Sequence, residues 1–182
     1  GPGKQDCLSA RVQARYPEAL PVHRLDLGTS GLLVLARNAD MHRALNRLFA
    51  TRRVEKRYVA LVAGRMAAGE QVIDLPLIAD WPNRPRQRVD HAIGKPSRTR
   101  LRAAGYEPGL DATRVDLFPE TGRSHQLRVH LRAIGHPILG DELYAPPEVF
   151  ARAPRLLLHA TVLAFRHPST ATMLRVESPA PF

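Results

Sequence analysis

Residues 23–36 read H-R-L-D-L-G-T-S-G-L-L-V-L-A, and the fold turns on how this stretch is read. Gly28, Thr29, Ser30 and Gly31 are turn formers, and the apolar run 32–36 behind them has the length and composition of a strand covered on both faces. Asp26 then stands at the lip of a core strand, between Arg24 and the Gly-Thr-Ser-Gly turn. A carboxylate held there by stiff backbone can face a cleft, the usual setting for a catalytic group. Asp also caps turns through its own backbone. Residues 23–36 alone do not choose between these two roles.

Outward from this stretch, the spacing predicts a short amphipathic helix over 7–16, with Leu8 and Val12 four apart, that stops at Pro17 and covers one face of the sheet. A second helix is expected over 38–49, capped by Asn38 or Asp40, with Met41, Leu45, Leu48 and Phe49 on its inner side. Residues 55–64 form the second clear strand and carry Tyr58, which by itself suits a core tyrosine as well as a working one. Further strands are expected over 72–77, 98–104, 113–118, 155–165 and 172–176, the last two as a hairpin through H-P-S-T. Residues 124–134 read as a helix closed by Gly135. Strands unevenly interleaved with few helices predict an α+β fold on a mostly antiparallel mixed sheet. At 182 residues the chain suits one domain, 1–182.

The segment W-P-N-R-P-R-Q-R-V at 81–89 is broken by proline and can be neither a helix nor a central strand. With Trp81, Arg84, Arg86 and Arg88 it suits contact with nucleic acid, guanidinium groups on phosphates and the indole for packing, although a solvated connector has the same composition. The whole chain leans the same way: 27 Lys plus Arg against 17 Asp plus Glu give a net charge of +10. Such a field favours a polyanionic partner. A single cysteine, Cys7, excludes an internal disulfide and suits a reducing compartment. There is neither a signal-peptide pattern nor an apolar run of about 18 residues, so a soluble, cytoplasmic protein without a membrane partner is expected.

Three further strings carry a resemblance. K-R-Y-V-A at 56–60, T-G-R-S-H-Q-L-R-V-H at 121–130 and G-H-P-I-L-G-D at 135–141, with H-R-L-D before them, resemble in content and order the RluA-type pseudouridine synthases. The resemblance covers residues 22–182 and implies the pseudouridine synthase fold, a long bent sheet with a central RNA-binding cleft. It implies Asp26 as the catalytic nucleophile, Tyr58 as the aromatic of the site, Arg123 as the cation paired with Asp26, and Leu127 as the aliphatic packed near the tyrosine. Arg24 would fill the space vacated by the extruded nucleotide or grip its phosphate. The segment I-A-D-W-P-N-R-P-R-Q, with G-K-P-x-x-T after it, is similar to one branch of the family whose substrates are 23S ribosomal RNA and tRNA. No cofactor, metal or DNA partner is implied, and a monomer is expected. The family's upstream K-P-x-G-[LM] segment is absent, so the chain is expected to be trimmed at its N-terminus.

The chemistry fits one carboxylate. Pseudouridine forms when the bond from C1′ to N1 breaks, the uracil turns in place and C5 joins C1′, with no redox change; a nucleophile at C1′ or at C6 divides this into easier steps. The base must be extruded, stacked on a ring and read on its Watson–Crick edge. Tyr58 suits the stack better than proton abstraction, since an ordinary tyrosine is a poor base at neutral pH. A metal hydrolase built on His23, His125, His130, His136, His159, Asp26 and Asp141 is disfavoured, because His125 and His130 are five apart and diverge on a helix. Ser30 and Ser124 lie outside any G-x-S-x-G elbow. A non-catalytic basic RNA-binding domain is the remaining alternative, and it gives no reason for a carboxylate in the cleft.

Overall fold

The β-forming runs pair into a seven-stranded sheet in the computed structural model, which describes residues 6–182. The chain opens with α1 (Leu8–Arg15), which buries no residue and leaves Leu8 half exposed. The expectation that it covers the sheet is therefore corrected: Leu8 and Val12 make too narrow an apolar stripe to hold a helix against a core. Next come β1 (Leu20–Pro21), β2 (Ser30–Gly31) and β3 (Leu35–Ala36). The unbroken strand expected over 32–36 does not form. β2 joins the main sheet, whereas β3 pairs with β1 in a separate ribbon, and Leu32 and Val34 are half-buried against α2 (Ala39–Ala50). An apolar run that crosses between two small cores has the same composition as one sandwiched in a sheet.

Asn38 caps α2, its Oδ1 accepting from the Met41 amide at 2.8 Å, a contact of about 1 kcal/mol. The chain continues through β4 (Glu55–Ala63), β5 (Glu70–Asp74), β6 (Leu77–Ala79) and β7 (Gln87–Val89). The single strand expected over 72–77 is split at Leu75 and Pro76, and Pro76 has no amide to offer a ladder. β6 and β7 form a separate antiparallel ribbon, with a single 3-10 turn at Trp81–Asn83 at its tip. β8 (Arg98–Glu107) and β9 (Ala112–Pro119) make the long hairpin, followed by α3 (Gln126–Ala133), the short α4 (Pro147–Phe150), β10 (Leu158–Arg166) and β11 (Met173–Glu177).

The sheet order is β11-β10-β4-β9-β8-β5, antiparallel throughout, with β2 added parallel to β10. One face of the central strands packs on α3: Leu61, Leu101, Leu117 and Leu131 are fully buried there, and truncating one of them to Ala would cost about 2–5 kcal/mol. A second core gathers Val22, Leu45 and Phe165 beneath α2. A third, of Leu77, Val129 and Tyr144, fastens the β6–β7 ribbon to α3. Among the described residues no helix is long and apolar enough to cross a membrane.

Candidate active site

Asp26 sits in the loop between β1 and β2, and that loop is anchored on its far side. The Thr29 amide donates to the Asp26 carbonyl at 2.9 Å, closing the turn. Gly31 adopts φ +107 and lies so close to β10 that a Cβ would meet the Ala160 carbonyl oxygen at 2.2 Å, so only glycine lets the two strands approach. Ser30 Oγ pairs with His159 Nδ1 at 2.8 Å and accepts from Arg155 Nη2 at 2.6 Å. The turn formers of the sequence thus dock the loop onto β10 and leave the Asp26 carboxylate facing a cavity of about 140 Å3.

Arg24, Asp26, Lys56, Tyr58, Arg123 and Leu127 all line this cavity. Tyr58 faces it from β4. Burial, aided by the nearby Asp26 charge, pushes its phenol up to about 12, which suits a stacking ring and weakens any claim as a base. Leu127 comes from the buried side of α3 and is packed into the main core as well. The Thr29 hydroxyl, also on the lining, is buried with no hydrogen-bond partner among the described residues.

The cation beside Asp26 is Arg128, not Arg123. Arg128 Nη1 lies 3.7 Å from Asp26 Oδ2, while Nε and Nη2 grip both oxygens of Asp141 at 2.8 and 2.6 Å. Arg128 is buried and Asp141 fully so, and Asp141 also accepts the amides of Leu143 and Tyr144 at 3.0 and 3.1 Å. Arg123 instead sends Nε to the Pro96 carbonyl at 3.3 Å, with its side chain at the cavity mouth.

The reason is local. His125 takes a left-handed conformation, φ 54, so α3 begins at Gln126 and not at Ser124. Gln126 then locks the preceding loop: its Oε1 accepts from Thr121 Oγ1 at 2.7 Å and the Arg123 amide at 3.0 Å, and its Nε2 donates to the Arg98 carbonyl and Thr99 Oγ1, each at 3.0 Å. Starting the helix there turns Arg128 inward.

His125 supplies a third group near the carboxylate, with Nε2 4.0 Å from Asp26 Oδ1 and Nδ1 2.7 Å from the Tyr144 hydroxyl. Burial lowers its pKa, and the Asp26 charge opposes that shift without reversing it. His130 points elsewhere, to Thr99 and the Leu75 carbonyl, so the two histidines diverge. Sequence reasoning missed Arg128 and Tyr144, and weighed His125 and Asp141 only as metal ligands. The signal available was a charged residue, Arg128, set between Leu127 and Val129 in a helix buried almost all round, followed by an aspartate in I-L-G-D.

The tip of the β6–β7 ribbon is apart from the cavity lining. Trp81 is exposed, with the Arg84 guanidinium stacked 3.5 Å from its ring centre. Arg88 pairs with Asp90 at 2.8 Å, and Arg86 enters no ion pair among the described residues. The indole expected to be available for packing is thus already covered on one face.

The family described as RNA pseudouridylate synthase matches residues 4–133. The chain is 49% identical over 178 residues to the dual-specificity RNA pseudouridine synthase RluA of Escherichia coli K12, covering 98% of this chain and 81% of that protein. It is 47% identical to the RluA of Vibrio vulnificus, covering 100% and 74% respectively. Among solved structures, human RNA Pseudouridylate Synthase Domain Containing 1 superposes with a TM-score of 0.84 at 33% identity, over 96% of this chain and 74% of that one. Domain Containing 4 of the same human series gives 0.76 at 26%, over 97% and 80%. With the family matched over most of its length and near-half identity along nearly all of it, the chain belongs to the RNA pseudouridylate synthase family.

Proposed function

We propose that Asp26 is the nucleophile with which this RNA pseudouridine synthase isomerises uridine, and that its substrates are sites in both 23S ribosomal RNA and the tRNA anticodon stem-loop. The observation that carries the reading is the Asp26 carboxylate at the edge of a cavity, 3.7 Å from an arginine that Asp141 already holds rigid. An arginine fixed by one carboxylate orients a second without having to reorganise during the reaction. Asp26 attacks the nucleotide at C1′ or C6 and the C1′–N1 bond breaks; the uracil turns and C5 bonds to C1′, the bond from the carboxylate to the nucleotide breaks to return Asp26 to its ionised form, and the proton lost from C5 is balanced by one gained at N1.

Tyr58 stacks on the extruded ring, and Leu127 packs beside it. The unpartnered Thr29 hydroxyl is a candidate for the base edge. Arg123 and Arg24 serve the RNA at the mouth and not the carboxylate. Arg84, Arg86 and, less strongly, Arg88 meet phosphates along the ribbon, with Trp81 and Arg84 acting as one stacked surface. Two target classes are supported by the similarity to relatives named for dual specificity. Such substrates call for a cytoplasmic enzyme; the chemistry requires no cofactor.

The test is direct. Pseudouridine mapping of 23S transcripts and tRNA stem-loops incubated with the protein should show modified sites, and Asp26→Asn should show none while binding the same RNAs nearly as tightly. Residual turnover above a few per cent would remove Asp26 from the role. Tight binding by the unaltered protein with no modified uridine would favour a purely RNA-binding domain.

A further inference from the structure

Lys56 is a half-buried cation in the active-site wall for which the chemistry above has no use. Side chains alternate along β4, so Lys56 and Tyr58 share the cavity face while Arg57 points to the other. On that other face Arg57 is neutralised by Asp116, which lies 2.7 Å away and also takes Arg102 at 2.9 Å. Lys56 enters no ion pair among the described residues, and every acidic group near it is engaged elsewhere. Glu55 pairs with Arg175 at 3.0 Å, Glu120 with Arg98 and Arg100 at 3.5 and 3.4 Å, and Asp26 with Arg128. Burial and the neighbouring Arg52 charge both lower the Lys56 pKa, as expected of an ammonium that lacks a counter-ion.

Its position says what would complete it. Lys56 lines the catalytic cavity and also a wider groove of about 730 Å3 that runs past Arg52, Arg100 and Glu120. Thr121, Gly122 and Arg123 line both spaces too, and a Cβ on Gly122 would come within 3.9 Å of Lys56 Nζ. Lys56 therefore stands at the passage between the two. Uracil and ribose are neutral, so the only anion a uridine brings is its phosphodiester. Lys56 is two residues from Tyr58, about 7 Å along the strand backbone, a separation comparable to that between a nucleotide's base and its phosphate.

We propose that Lys56 is the phosphate anchor of the extruded nucleotide, and that the groove beyond it takes the adjoining strand. This rests on the reading of Tyr58 as the stacking ring and of Asp26 as the nucleophile.

The test uses a stem-loop substrate and its analogues in which the phosphodiester on either side of the target uridine is replaced by a neutral methylphosphonate. Lys56→Gln should bind the natural RNA about ten-fold more weakly and lower the slope of log K against log salt by about 0.7 to 0.9, the effect of one phosphate contact. Lys56→Arg should restore affinity and slope. One of the methylphosphonates should weaken the unaltered protein by a similar factor yet leave Lys56→Gln unaffected, the non-additivity expected of direct partners. The arm with the unaltered protein does not depend on any variant folding. Equal weakening of both proteins by each methylphosphonate would overturn the anchor. So would a Lys56→Gln protein with unchanged affinity and slope but a collapsed rate, since the lysine would then act in the chemistry. Failure of the Asp26 assignment shows separately, as turnover by Asp26→Asn, and leaves the binding measurements intact.

Discussion

The Tyr144 hydroxyl lies 2.7 Å from His125 Nδ1 and accepts the backbone N–H of Gln87 at 2.7 Å. With its oxygen already accepting from an amide, the phenol has its proton free for Nδ1, and in that arrangement a neutral His125 carries its own proton on Nε2, facing Asp26. One side chain therefore ties the β6–β7 ribbon to the neighbour of the nucleophile. Tyr144→Phe should leave the Gln87 amide and His125 Nδ1 without partners, lowering stability by about 1–3 kcal/mol in chemical denaturation and slowing single-turnover isomerisation. A Phe variant as stable and as fast as the parent would show that the ribbon and the carboxylate are independent.

The pairing of Arg128 with both Asp26 and Asp141 separates it from Arg123 in a way that kinetics can read. Arg128→Lys keeps the charge and loses the two-pronged grip on Asp141, and should lower the single-turnover rate at saturating RNA by about a hundred-fold. Arg123→Gln should weaken RNA binding and leave that rate nearly unchanged. If Arg123→Gln abolished the chemistry while Arg128→Lys stayed active, the assignment of the two arginines would be reversed.

These two arginines also show what the sequence could reveal. The paired strands β4, β8, β9, β10 and β11 and the helix α2 were readable because each is long and bounded by turn formers or a cap. Asp26 and Tyr58 drew attention through the resemblance of their strings, because local pattern left Asp26 open between a turn cap and a cleft group and suited Tyr58 to a core equally well; the structure sets both on one cavity lining. Which arginine turns toward Asp26 depends on one backbone angle, φ 54 at His125, and no residue pattern announces a left-handed histidine before a helix. The break in 32–36 was hidden for a different reason: Leu32 and Val34 are apolar because α2 covers them, and composition does not record which partner buries a side chain.

His23 gives the protein a pH-dependent stability. Its Nε2 accepts the Val34 amide at 3.1 Å and its ring stacks on Phe49 at 4.6 Å, while burial, with the Lys56 charge adding to it, pushes its pKa down from 6.5 to about 4. Protonation would set a donor against a donor. Because the folded pKa lies below the unfolded one, the contribution is fully present above pH 6.5 and is lost as the pH falls toward 4. After allowance for partial exposure this is about 2 kcal/mol between pH 7 and pH 4.5. His23→Gln retains a carbonyl acceptor for Val34 and does not titrate, so urea unfolding at the two pH values should show a smaller loss than in the parent. Equal losses would mean that His23 does not titrate in this window.

The ribbon arginines should act through charge and not through chemistry. Arg84 is exposed on Trp81 and Arg86 has no ion-pair partner among the described residues, whereas Arg88 is already paired with Asp90. Replacing Arg84 and Arg86 with Gln should weaken binding of every RNA substrate by a similar factor, because phosphates carry no sequence information. Each contact adds roughly 0.7 to 0.9 to the slope of log K against log salt, so the double variant should lose about 1.5 from that slope, and adding Arg88→Gln should change it little further. The rate at saturation should hold, since these residues lie outside the lining of the Asp26 cavity. Binding titrations across a series of salt concentrations decide the matter: an unchanged slope in the double variant would make the ribbon a structural brace, held to α3 through Leu77, Val129 and Tyr144, that never touches RNA.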